Sequence, residues 1–68
     1  MYQPKKEIHM KNYLITFNNH PSIVVEAPNS SSAMGLCTDK ISTYEEISGS
    51  RKKILVDLFG LKFVKWPF

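Results

Sequence analysis

The sequence predicts a small α+β domain: an antiparallel β-sheet of four to five strands in the order ββαβββ, with one amphipathic helix packed on one face. Three stretches carry that expectation. Lys11 to Ala27 reads as two period-2 runs joined by a polar loop. Ala33 to Ile41 carries an apolar stripe at helical spacing, and Leu61 to Trp66 alternates strictly.

The leading stretch, residues 1–10 (MYQPKKEIHM), is polar, contains Pro4 and has no period, so it is expected to be a flexible leader. Met10 offers a second start, and the single domain is expected over 11–68. In the first strand Tyr13, Ile15 and Phe17 share a face; in the second, Ile23, Val25 and Ala27 do. Between them lies Asn18-Asn19-His20-Pro21, rich in residues that tolerate turns, with Pro21 fixing its own φ and removing a ladder donor.

Pro28 stops the second strand, and the Asn/Ser run after it supplies candidate N-caps. A helix is predicted from Ser31 to Ile41, burying Ala33, Met34, Cys37 and Ile41. Gly35 weakens it by roughly 1 kcal/mol relative to alanine, and Lys40 suits the dipole of a last turn. Thr43 to Ser48 (TYEEIS) fits a strand, and Ser48-Gly49-Ser50 a turn.

The segment 51–59 supports two readings. As a strand, Lys52 to Leu58 brings β-branched residues back along the sheet. As a helix, it spaces Ile54, Leu55, Leu58 and Phe59 on one side, with Gly60 as a natural residue just past the C-terminus. Arg51, Lys52 and Lys53 would then occupy the first helical turn, where the dipole disfavours cations, so the strand is preferred. Leu61 to Trp66 forms the last strand, with Leu61, Phe63 and Lys65 on one face and Lys62, Val64 and Trp66 on the other. Pro67 ends it.

A chain of 68 residues buries only about 60 % of its unfolded surface, so its core is thin. Cys37 is the lone cysteine, which excludes an internal disulfide, and neither His9 nor His20 stands at a zinc-like spacing from it. No metal or cofactor is expected. Good packing, a partner or homo-oligomerisation must supply the missing stability. An unpaired cysteine and the lack of an apolar export segment point to a reducing cytoplasm. Apolar runs such as Ile54-Leu55-Val56 are far too short to span a bilayer, so no membrane contact is expected.

Candidate chemistry is sparse. His20 in the hairpin loop has no acid or nucleophile nominated beside it, so it reads as a solvated turn residue. Cys37 on the apolar stripe reads as a small core residue. Glu45 and Glu46 are adjacent and would point to opposite faces of a strand, which prevents them from pairing as general acids. With neither a phosphate-binding glycine loop nor a nucleophile–base pair, no enzyme is expected.

The net charge is +3, with acids gathered at Glu26, Asp39, Glu45 and Glu46 and cations in the last third. Arg51, Lys52, Lys53, Lys62 and Lys65, together with Trp66, form the candidate partner-binding set. If the last two strands were neighbours, Lys52 and Lys62 or Lys65 would meet on the sheet. That patch suits an acidic protein surface or a nucleic-acid backbone. The bland reading is a solvated face whose lysines protect an edge strand. Phe63, Trp66 and Phe68 lie within six residues of one another, and aromatic residues beside positive charge are the composition of interface anchors.

Tyr13-Leu14-Ile15, then Ile23-Val24-Val25-Glu26-Ala27, then a short helix from Ser30 to Ile41 and further strands, is an order similar to that of very small phage-encoded inhibitors. Among these are anti-CRISPR proteins that bind type I surveillance complexes. The likeness covers half of the chain. It implies a helix on an antiparallel sheet and a steric mechanism, in which the protein occupies a surface that a host defence complex uses for nucleic acid. The leading expectation is therefore a non-enzymatic inhibitor in the host cytoplasm, with a host protein or ribonucleoprotein complex as partner. The alternative is a small basic nucleic-acid-binding module using the same residues.

Overall fold

In the computed structural model, which describes residues 9–67, β1 (Lys11–Phe17) and β2 (Ile23–Ala27) form the predicted hairpin. Tyr13 lies opposite Val25, and Ile15 opposite Ile23. Because directly opposed residues share a face, the expected apolar side is continuous across both strands. Ile15, Val25 and Ala27 are fully buried there, with Tyr13 nearly so.

The short helix α1 (Ser30–Gly35) lies on this face. Asn29 caps it, its side-chain oxygen accepting from the Ser32 amide at 2.8 Å. Ala33 is buried against the hairpin, and Leu36, Cys37 and Ile41 pack around it. The helix was expected to run to Ile41 but stops at Gly35. Its last turn tightens, with the Leu36 amide donating to the Ala33 carbonyl and the Cys37 amide to that of Met34. The chain then loosens because Ile41 is taken by β3 (Ile41–Ile47), where it pairs with Phe17.

β3 runs antiparallel to β1 on the side away from β2, with an irregularity between Thr16 and Phe17. The last strand, β4 (Lys62–Lys65), pairs with β2 in parallel, and the sheet order is β3-β1-β2-β4. The fold is thus a small α+β domain with a four-stranded sheet, as expected in class. Its sheet is mixed, whereas an antiparallel one was expected.

Segment 51–57 is the correction within that class: it is helical, part of α2 (Gly49–Asp57), and not a strand. The element order is ββαβαβ. Strand direction explains this. β2, β3 and β4 all run the same way, and β3 and β4 stand at opposite edges. A chain joining parallel strands must travel back along the sheet, which a tight turn cannot do and a crossover helix can. α2 crosses the middle of the sheet, against β1 and β2. It lies on the face opposite α1, since Lys52 reaches Phe63 and Glu26, and these alternate with Val64 and Val25 of the α1 face.

The dipole argument against this helix is outweighed locally. Ser48 caps it, its hydroxyl accepting from the Arg51 amide at 3.1 Å. Arg51 sits 3.5 Å from Glu45, and Lys52 sits 3.9 Å from Glu26. Lys52 also stands 4.4 Å from the centre of the Phe63 ring. Each ion pair contributes about 1 kcal/mol or less, on the scale of the cap itself. Replacing Ser48 by alanine is expected to cost about 1 kcal/mol, read as a lower urea midpoint with unchanged slope in circular dichroism. The helix closes with the Leu61 amide donating to the Leu55 carbonyl at 3.1 Å, while Gly60 turns the chain at φ 68°.

Residues 1–8 of the expected leader, and Phe68, lie outside the described residues.

Candidate functional site

The α2–β4 region holds all six residues singled out from the sequence, though not on one surface. Arg51, Lys52 and Lys53 stand in the first turns of α2. Lys65 alternates with Phe63 and so shares the α2 side of the sheet. Lys62 and Trp66 belong to the opposite face, and only a partner that wraps the β4 edge would touch all six. The expected meeting of Lys52 with Lys62 or Lys65 depended on two neighbouring strands; with Lys52 on a helix, Lys62 falls on the other face and Lys65 shares the α2 side.

Electrostatically the group is partly neutralised. Glu45 faces Arg51 and Glu26 faces Lys52. Among the described residues, Lys53, Lys62 and Lys65 form no ion pair. Trp66, expected as the anchor, is half-buried, packs against the Tyr13–Ile15–Val25 cluster, and donates its backbone amide to the Glu26 carbonyl at 2.8 Å. It extends the β2–β4 ladder and closes the core.

The apolar side chains that do face solvent are elsewhere. Leu58 is 77 % exposed, Phe59 69 % and Ile54 46 %; Tyr44, at 49 %, stands apart from them on β3. Ile54 and Leu58 are one helical turn apart, and Phe59 follows directly, so the three are close neighbours. α2 buries none of its residues completely; Leu55 and Val56 are half-buried. The helix reading of 51–59 already carried the signal for these residues, since it spaced Ile54, Leu58 and Phe59 along one side. An apolar helical stripe ordinarily packs inward, so the spacing by itself does not mark these side chains as exposed.

A second feature lies at the end of the sheet where the hairpin loop, the α1–β3 connection and the α2–β4 turn converge. They line an open cavity of about 620 Å³, whose apolar lining includes Phe17, Ile23, Leu36, Phe59, Leu61 and Val64. His20, Ser22, Cys37, Thr38, Asp39 and Lys62 are among its polar groups. His20 Nε2 stands 3.8 Å from Asp39 Oδ1, and its ring meets Phe17 edge-on at 6.3 Å.

Cys37 has the opposite of an activated environment. Burial, and then the negative charge of Asp39, push its thiol above the ordinary value of 9.0. Its Sγ donates weakly to the Ala33 carbonyl at 3.7 Å. Alkylation of Cys37 near neutral pH is therefore expected to run slower than that of free cysteine, measured as the rate of mass gain with N-ethylmaleimide. A raised folded value favours the protonated fold, so this thiol's stabilising contribution is present below the ordinary thiol value. It is lost as pH rises through the folded value, above 9.0. Urea midpoints measured across that range should fall less for Cys37→Ser than for the parent.

Among the described residues, no three His, Cys, Asp or Glu side chains converge to hold a metal ion. Nor is any described helix long and apolar enough to cross a membrane. Set against protein-family models, curated proteins and solved structures, the chain matches none.

Proposed function

We propose that this chain is a non-enzymatic binding protein that docks on a larger assembly through the α2 side of the molecule. One observation carries the reading: Ile54 in α2, and Leu58 and Phe59 just past its C-terminal end, stand in solvent beside the helix that carries Arg51 and Lys53. Folding alone gives no reason to expose two large apolar side chains at more than two-thirds of their surface. Apolar anchors rimmed by cations are the composition of an interface with an acidic protein surface, the anchors supplying affinity and the charges steering the encounter. The likeness of the hairpin and α1 to phage-encoded inhibitors extends this to a steric, anti-CRISPR-like role. On that reading the chain acts in the host cytoplasm, covering the nucleic-acid-binding surface of a host defence complex.

The pairing of Arg51 with Glu45 and Lys52 with Glu26 weighs against direct phosphate binding, since both cations already face carboxylates. The test is capture from host lysate with the intact chain as bait, run beside nucleic-acid binding over a salt series. A specific complex, retained by the parent and lost by a variant altered at Leu58 and Phe59, supports docking through α2. Tight DNA or RNA binding that weakens steeply with salt would replace it with a phosphate-binding module.

A further inference from the structure

We propose that the cavity between the hairpin loop and the α2–β4 turn is a binding site for a small amphipathic carboxylate, of the class of a medium-chain fatty acid. The cavity adjoins the proposed docking surface and shares Phe59 with it, but Leu58, Arg51 and Lys53 do not line it.

Size comes first. At about 620 Å³ the space falls within the range of about 300–1,000 Å³ typical of small-ligand pockets. Its floor is the end of the hydrophobic core, with Phe17, Ile23 and Val64 on the sheet and Leu36 above them. These are side chains already packed on the fully buried Ile15–Val25 cluster, so the floor is held by the core itself. Phe59 and Leu61 extend the apolar wall from the turn around Gly60.

Charge then selects the headgroup. Lys62 is opposite Ile23 in the β2–β4 register, which places it on the cavity side of the sheet. It forms no ion pair among the described residues. Among the described residues Asp39 is the lone carboxylate of the lining, and it faces His20 at 3.8 Å. Asp39 comes from the segment leading into β3, and Lys62 from β4, the strands at opposite edges of the sheet. The two charges therefore polarise the mouth. An anionic headgroup is drawn to Lys62 and repelled by Asp39, while its tail lies on Phe17, Ile23 and Leu36. A cationic amphiphile would meet Lys62 unfavourably, and a neutral one would use the apolar floor alone.

Cys37 lines the same cavity and is the chain's sole cysteine, which makes it a built-in reporter. The probe is sodium decanoate below its micelle concentration, with decanol as the neutral control. Decanoate should slow alkylation of Cys37 by N-ethylmaleimide about tenfold or more at saturation. In Lys62→Glu the same protection should need about tenfold more decanoate, while protection by decanol stays unchanged. Decanoate should also move the backbone amide signals of Phe17, Ile23, Leu36 and Leu61 in nitrogen–proton spectra, a readout that stands even where alkylation is too slow to follow. Amide signals that stay fixed, or that shift throughout the domain, overturn the site. Unprotected Cys37, or equal decanoate protection in parent and Lys62→Glu, overturns the assigned headgroup contact. Loss of lysate capture in Leu58→Asp, whose side chain does not line the cavity, bears on the docking surface alone and leaves this site standing.

Discussion

Ile15→Ala should unfold most of this domain, or leave it with a urea midpoint lower by about 2 M or more at a slope near 1 kcal/mol/M. Ile15 is fully buried in β1, one of the two inner strands, between Ile23 of β2 and Tyr44 of β3. Deleting such a side chain costs about 2–5 kcal/mol, because the lost transfer energy is joined by the cavity left behind. A domain of this length has a total stability of about 3–10 kcal/mol, and no disulfide limits its unfolded state. The cost is therefore comparable with everything holding the fold. Leu14, on the α2 side and only half-buried, should cost clearly less when cut to alanine. Chemical denaturation followed by circular dichroism ranks the two. A midpoint for Ile15→Ala within about 0.5 M of the parent would mean that the core is not centred on this strand.

The double variant Leu58→Asp, Phe59→Ser should leave the fold intact and abolish docking. Both side chains are more than two-thirds exposed, so their removal opens no core cavity, and surface substitutions of this kind stay within about 0.5 kcal/mol. If they anchor a partner, losing both should weaken binding by about 30-fold or more, the scale of a hot spot worth about 2 kcal/mol. Neutralising Arg51 and Lys53 instead should mainly slow association and flatten its salt dependence, leaving dissociation nearly unchanged. Surface plasmon resonance against the captured complex separates these effects. A double variant that folds and still binds with parental affinity moves the interface away from α2. Trp66→Ala should behave in the contrary manner and lower stability, since Trp66 packs on the core and continues the β2–β4 ladder.

Much of the architecture was legible residue by residue. Tyr13, Ile15, Val25 and Ala27 were expected on one buried face, and they form the core cluster with Ala33 of the helix expected above them. The alternation of Lys62, Phe63, Val64 and Lys65 was read with the faces it has. Where the reading failed, the local signal was ambiguous. Ile54, Leu55 and Val56 suit a strand as well as a helix, and the caution about cations at a helix start was sound in isolation. It could not anticipate Glu45 on β3 and Glu26 on β2 arriving beside Arg51 and Lys52. Trp66 is drawn into the core, whereas Leu58 and Phe59 are left outside it.

The sequence by itself determined the hairpin, its buried face, the capped turn of helix laid over it and the alternating last strand. Each of these depends on contacts between near neighbours or on a period of two or 3.6 residues. Only the tertiary structure decided that β4 joins β2 in parallel, because strand order is set by which edge remains open once β3 has taken the far side of β1. From that choice follow the crossover, the helix that makes it, the apolar side chains that helix leaves in solvent, and the cavity where its closing turn meets the hairpin loop.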